Sequence, residues 1–177
     1  DDLHLLFVHF GATDAAGHTY GWLSREYLAA VSDVDAAIGR IIESLDRAGV
    51  LEQTAILVTA DHGGHWNTHG FDIPDDRFIP FILTGPGMAS GRRLCEQVRI
   101  MDAAATSLYL LGLPADSAID GRPVLEALTD NDQTPCLPPP VAFTGLCAPF
   151  PLFSAASLVM IWRWRGTFKY HSPHEQI

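Results

Sequence analysis

The chain opens on a nearly unbroken apolar run, Leu3-His4-Leu5-Leu6-Phe7-Val8-His9-Phe10, closed by Gly11. A short run of this kind ending at glycine predicts a buried strand. The stretch Gly11 to Gly21, rich in Gly, Thr and Asp, then reads as a loop. Beyond it Tyr27, Leu28, Val31, Val34, Ile38, Ile41, Ile42 and Leu45 recur at three- and four-residue spacing. They form one apolar face of a long amphipathic helix, with Ser24 as its cap, Glu26 in its first turn and Gly49 as its stop. Thr54 to Ala60 predicts a second buried strand, Phe78 to Leu83 a third, and Met101 to Leu111 a helix ended by Gly112. Strand, helix and strand in this order imply an α/β fold, a mostly parallel sheet flanked by helices on both faces.

The pattern changes after Thr129. Pro138-Pro139-Pro140 is a stiff spacer, and residues 141–162 carry no charge. About 20 apolar residues can cross a bilayer, but Pro149, Pro151, Thr144, Gly145, Ser154 and Ser157 interrupt the run. A strand from Ser157 to Trp164, a turn at Arg165-Gly166 and a return strand from Thr167 to His171 are preferred to a membrane span. Residues 1–129 are read as one partial α/β domain and 130–177 as a proline-rich spacer with a hairpin tail.

The 177 residues suffice for one packed core. Asp and Glu outnumber Lys and Arg by 21 to 11, a net charge of −10. That argues against a nucleic-acid backbone as partner, since phosphate contacts need clustered Lys and Arg. A small phosphorylated substrate is not excluded, because bound divalent cations would invert the local field. Cys95, Cys136 and Cys147 show neither a zinc spacing nor a disulfide framework. Neither compartment nor oligomeric state is legible.

The candidate chemistry lies at the predicted strand ends. Asp14 and His18 follow the first strand, Asp61 and His62 end the second, and His69 comes one short loop later. Alone, Asp14 could cap a turn, His18 could be a satisfied histidine and Asp61-His62-Gly63 could be a strand-ending turn. Two clusters at two strand ends, joined by a third histidine, are better explained as metal ligands. Functional groups gather at the carboxyl ends of parallel strands, and carboxylate with imidazole suits zinc or manganese. His65 is open between a group that supports a ligand, a substrate contact and a solvated loop residue. Tyr20 and Trp22 are open between lining a substrate pocket and packing in the core.

The strings Phe7 to Gly21 (FVHFGATDAAGHTYG), Val58 to His65 (VTADHGGH), Thr68-His69-Gly70, Ile79-Pro80 and Gly85-Pro86-Gly87 together resemble the alkaline phosphatase superfamily. The branch most resembled is the type I phosphodiesterase/nucleotide pyrophosphatase group, over roughly residues 3–128. The resemblance implies two divalent metal ions, Zn2+ or Mn2+. Asp14, His18 and His69 match the ligands of one, and Asp61 and His62 match ligands of the second. It implies hydrolysis of phosphodiester or nucleotide pyrophosphate bonds through a phospho-enzyme on Ser or Thr. Phosphomonoesterase, sulfatase and phosphosugar mutase chemistry remain as alternatives, as does a metal-binding but catalytically incomplete fragment. The nucleophile and one further aspartate are expected upstream of Asp1, so the chain reads as N-terminally truncated. Thr13 and Thr59 do not match the nucleophile's context.

Overall fold

The computed structural model describes residues 4–114, 117–129 and 157–163. It is a mixed α/β structure built on a four-stranded sheet of β1 (Leu5–Phe10), β2 (Thr54–Ala60), β3 (Phe81–Thr84) and β4 (Ser157–Arg163). Its helices are α1 (Ala12–Tyr20), α2 (Arg25–Arg47), the short α3 (Pro74–Arg77) and α4 (Asp102–Leu110). No helix among the described residues is long and apolar enough to cross a membrane.

The sheet order is β1-β4-β2-β3, and every pairing is antiparallel, not mostly parallel as expected. The cause is β4, which enters from the C-terminal tail and lies between the two strands that the sequence suggested as neighbours. It is a central strand, whereas the tail read alone suggests an edge hairpin; the predicted return strand falls outside the described residues. Because β1 and β2 both oppose β4, they still run in the same direction. Phe10 and Ala60, their last residues, both have Ser157 as register partner. The two carboxyl ends therefore stand level on either side of β4, about 10 Å apart, or two strand spacings.

Alternation along β2 divides the apolar packing, as its side chains must point to opposite faces. Ala55 and Leu57 pack in one cluster with Met88, Ala103, Leu110 and Leu128. Ile56 and Val58 lie in a second cluster with Ile38, Ile41, Ile42 and Leu45 of α2, and with Ile161. The helix predicted from the apolar stripe forms as expected. Ser24 caps it by accepting a hydrogen bond from the Tyr27 amide at 3.1 Å, and Gly49 follows it with φ 67°.

Three expectations need correction. β1 is not a buried strand: among the described residues it has a pairing partner on one side only, and Leu5, Leu6 and Phe7 are exposed, Phe7 by 54%. The third strand begins at Phe81 instead of Phe78, because Pro74 to Arg77 make a helical turn that Phe78 ends. Cys95 is disulfide-bonded, which the spacing of three cysteines did not suggest.

Candidate metal centre

The segment read as a loop from its glycines is helix α1, with Gly11 and Gly21 just outside its ends. Ala12, Ala15 and Ala16 favour a helix. Gly17 sits inside it for a packing reason: a Cβ there would lie 2.8 Å from Cδ2 and Cε2 of Trp22. Helical geometry gives the four-residue interval between Asp14 and His18 its meaning, since residues i and i+4 share a face. His18 Nε2 lies 3.4 Å from Asp14 Oδ1. The second cluster leaves β2 directly, with Asp61 first after the strand.

The structure brings all five expected ligands together. His62 Nε2 stands 4.0 Å from Asp14 Oδ1 and 3.7 Å from Asp61 Oδ2. The rings of His62 and His69 stack with centroids 3.6 Å apart, and the ring of His18 lies 5.1 Å from that of His69. One ligand atom from each of Asp14, His18 and His69 falls within 4.8 Å of the others, close enough to share a cation.

Two further observations fit a metal centre. Asp14 Oδ1 is buried and makes no hydrogen bond among the described residues, although two histidine nitrogens face it. Two ligand atoms on one tetrahedral zinc stand about 3.3 Å apart, from bonds of about 2.0–2.1 Å. The 3.4 Å between Asp14 and His18 matches that spacing. The histidine tautomers agree as well. His18 Nδ1 is 3.0 Å from the Asn67 carbonyl oxygen, and His62 Nδ1 is 2.7 Å from that of Gly63. A carbonyl can only accept, so Nδ1 donates in both rings and Nε2 is the nitrogen turned toward the cluster. Orienting ligand histidines through their second nitrogen is the usual support for a metal site.

The other candidates take distinct places. Trp22 is 8% exposed and lies beneath the cluster, its ring edge-on to His18 at 5.1 Å and 6.1 Å from His69. Tyr20 ends α1 with its side chain in solvent. His65 donates from Nδ1 to the buried Asp76 carboxylate at 2.7 Å. Burial would raise the Asp76 pKa, but hydrogen bonds from His65 and from the Phe71 amide, the His65 charge and the Gly70 amide together hold it below the ordinary carboxylate range. Thr59 is fully buried and donates to the Pro80 carbonyl at 2.9 Å, and Thr13 is buried within α1. The Thr59 hydroxyl is thus engaged away from the cluster. Sequence reasoning missed Asn67 and Asp76. Only the acidic start of α3, Asp75-Asp76 after Pro74, hinted at the last.

A family described as Type I phosphodiesterase / nucleotide pyrophosphatase matches residues 1–77. The chain is 32% identical over 117 residues to an extracellular sulfatase SULF-1 homolog of Drosophila melanogaster, covering 63% of this chain and 10% of that protein. It is 31% identical over 121 residues to GPI ethanolamine phosphate transferase 1 of Aspergillus fumigatus, covering 68% and 11%. It is 32% identical over 133 residues to a 2,3-bisphosphoglycerate-independent phosphoglycerate mutase of Synechococcus elongatus, covering 69% and 24%. No solved structure matches. These relatives, by name a sulfatase, a phosphate transferase and a phosphoglycerate mutase, belong to one superfamily, and the chain belongs to it too: the alkaline phosphatase superfamily. It spans about a tenth to a quarter of the length of these relatives.

Proposed function

We propose that the chain supplies the metal-holding half of a phosphoester hydrolase, acting on phosphodiester or nucleotide pyrophosphate bonds of a small phosphorylated substrate. The observation that carries this is the buried, unbonded Oδ1 of Asp14 facing the Nε2 atoms of His18 and His62. Asp14, His18 and His69 would hold one divalent cation, Zn2+ or Mn2+. Asp61 and His62 would hold a second, with a further ligand from elsewhere. Two cations in such a site supply Lewis-acid charge neutralisation for an in-line displacement at phosphorus. The chain's own residues fix the donors: α1 sets the Asp14–His18 interval, and the Asn67 and Gly63 carbonyls hold two imidazoles with Nε2 inward. Trp22 closes the floor against water. Thr13 and Thr59 are buried, and on this reading the attacking hydroxyl comes from elsewhere in the whole protein. The packing of β2 supports helices on both faces of the parent sheet.

Transfer to a second alcohol instead of water is a second reading, supported by a relative named as an ethanolamine phosphate transferase. Assay of zinc-loaded protein with an aryl phosphodiester, an aryl phosphomonoester and an aryl sulfate tests the proposal. The diester should be turned over fastest, though slowly without the nucleophile, and His18→Ala should reduce that rate at least about 100-fold. Preference for the monoester or the sulfate would refute the assignment to phosphodiesters.

A further inference from the structure

The residues between β2 and β3 carry three of the five candidate ligands, Asp61, His62 and His69. One residue outside the ligand set ties this loop together at points that interleave with them. The backbone carbonyl of Asp76 accepts from the Gly63 amide at 2.6 Å, directly after Asp61 and His62. Its carboxylate accepts from His65 Nδ1 at 2.7 Å and from the Phe71 amide at 2.7 Å, two residues beyond His69. His65 is in turn bonded to Thr68 through both backbone groups, each at 3.0 Å, which places His69 at the foot of a tight hairpin. The tip of that hairpin holds His18, since the Asn67 carbonyl accepts from His18 Nδ1. Asp76 is 5% exposed, so these bonds face little competition from water.

We propose that Asp76 is a positioning residue for the metal centre: through His65 and the Gly63 and Phe71 amides it sets the distance between the Asp61–His62 pair and His69 before any cation binds. This rests on the metal-binding reading above. A loop of this length with no such tie would have to order its ligands at the expense of binding energy, the cost that preorganisation removes. His65 belongs to the brace, with its donor nitrogen turned away from the cluster toward Asp76.

The test is zinc affinity, measured by competition with a chromophoric chelator on the full 177-residue chain, alongside the thermal midpoint of each metal-free protein. His65→Ala should weaken zinc binding about 10- to 100-fold, the range for groups supporting metal ligands. His65→Asn, whose amide N–H can donate toward Asp76 from a similar position, should recover affinity to within about threefold of wild type. Asp76→Ala should lose at least as much as His65→Ala, the variant that carries the test because it leaves the Asp76 carboxylate and its bond from the Phe71 amide in place. Asp102→Asn is the control. It perturbs another buried carboxylate, one bonded to the Arg99 and Arg122 amides, and should lower the thermal midpoint without changing zinc affinity. Unchanged zinc affinity in His65→Ala, or an equal loss in Asp102→Asn, would overturn the proposal. Failure of the wild type to bind zinc would instead overturn the metal centre itself.

Discussion

Gly64 offers the sharpest test of how the floor of the metal centre is built. A Cβ placed on Gly64 would lie 2.6 Å from both Cδ2 and Cζ2 of Trp22, and closer still to Cε2. Carbon atoms pack at about 3.5–4.0 Å, so Gly64→Ala demands a displacement of about 1 Å or more. The backbone of Gly64 is not left-handed, so the cost comes from this overlap alone. The indole has little room to retreat: Gly17 lies against it, and its ring stands 5.1 Å from His18 and 6.1 Å from Tyr27. Overpacking of this kind costs about 1–3 kcal/mol. For a chain of this size each kcal/mol moves the melting point by about 2–4 °C, giving a fall of about 2–12 °C. A double-mutant cycle with Trp22→Leu separates overlap from other causes. Trp22 Nε1 has no hydrogen-bond partner among the described residues, so removing the indole breaks no bond there. The double variant should be more stable than the sum of the single effects predicts, by about 1 kcal/mol or more. Additivity, or a Gly64→Ala cost below about 0.5 kcal/mol, would refute the packing argument.

Two other outcomes follow from the core and from the buried carboxylates. Leu57→Ala, at a fully buried position in β2, should cost about 2–5 kcal/mol in denaturant unfolding; a cost below about 1 kcal/mol would mean that the site collapses freely. Burial opposes ionisation of Asp102, but the Arg99 and Arg122 amides and the Arg99 guanidinium lower its pKa, while Glu126 is lowered chiefly by Arg122. With Asp76 also lowered, these groups give stability that is present above their unfolded pKa values of about 4 and is lost as pH falls through the lower folded values. Metal-free protein should therefore melt at a nearly constant temperature above about pH 5 and progressively lower below about pH 4. Asp102→Asn should flatten that acid limb, and an unchanged limb would contradict the assignment.

The sequence shows α2 and β2 plainly because each is a local pattern: a stripe at helical spacing over 23 residues, and a seven-residue strand with an unbroken apolar centre from Ala55 to Val58. It hides α1 because three glycines look like loop signals, whereas Gly17 answers to the Trp22 ring in three dimensions. The five candidate ligands could be picked out without α1, since two pairs follow strand ends and His69 comes one short loop later. Sheet polarity could not be read, because β4 lies almost a hundred residues beyond β2 and its insertion is a tertiary event with no local signature. The common level of the two carboxyl ends survives that error, as β1 and β2 share one partner. Asp76 is illegible for the same reason as β4. Its role depends on burial and on amide groups up to 13 residues away, and its residue type alone suggests only a helix start.

The central claim is that Asp14, His18 and His69 hold a transition metal, and anomalous diffraction at the zinc absorption edge from crystals of the zinc-loaded chain tests it directly. A peak is predicted about 2.0–2.2 Å from a carboxylate oxygen of Asp14, from His18 Nε2 and from a ring nitrogen of His69. A crystal with zinc in the mother liquor and no anomalous peak among these three side chains, or one in which zinc binds only elsewhere, would contradict the account.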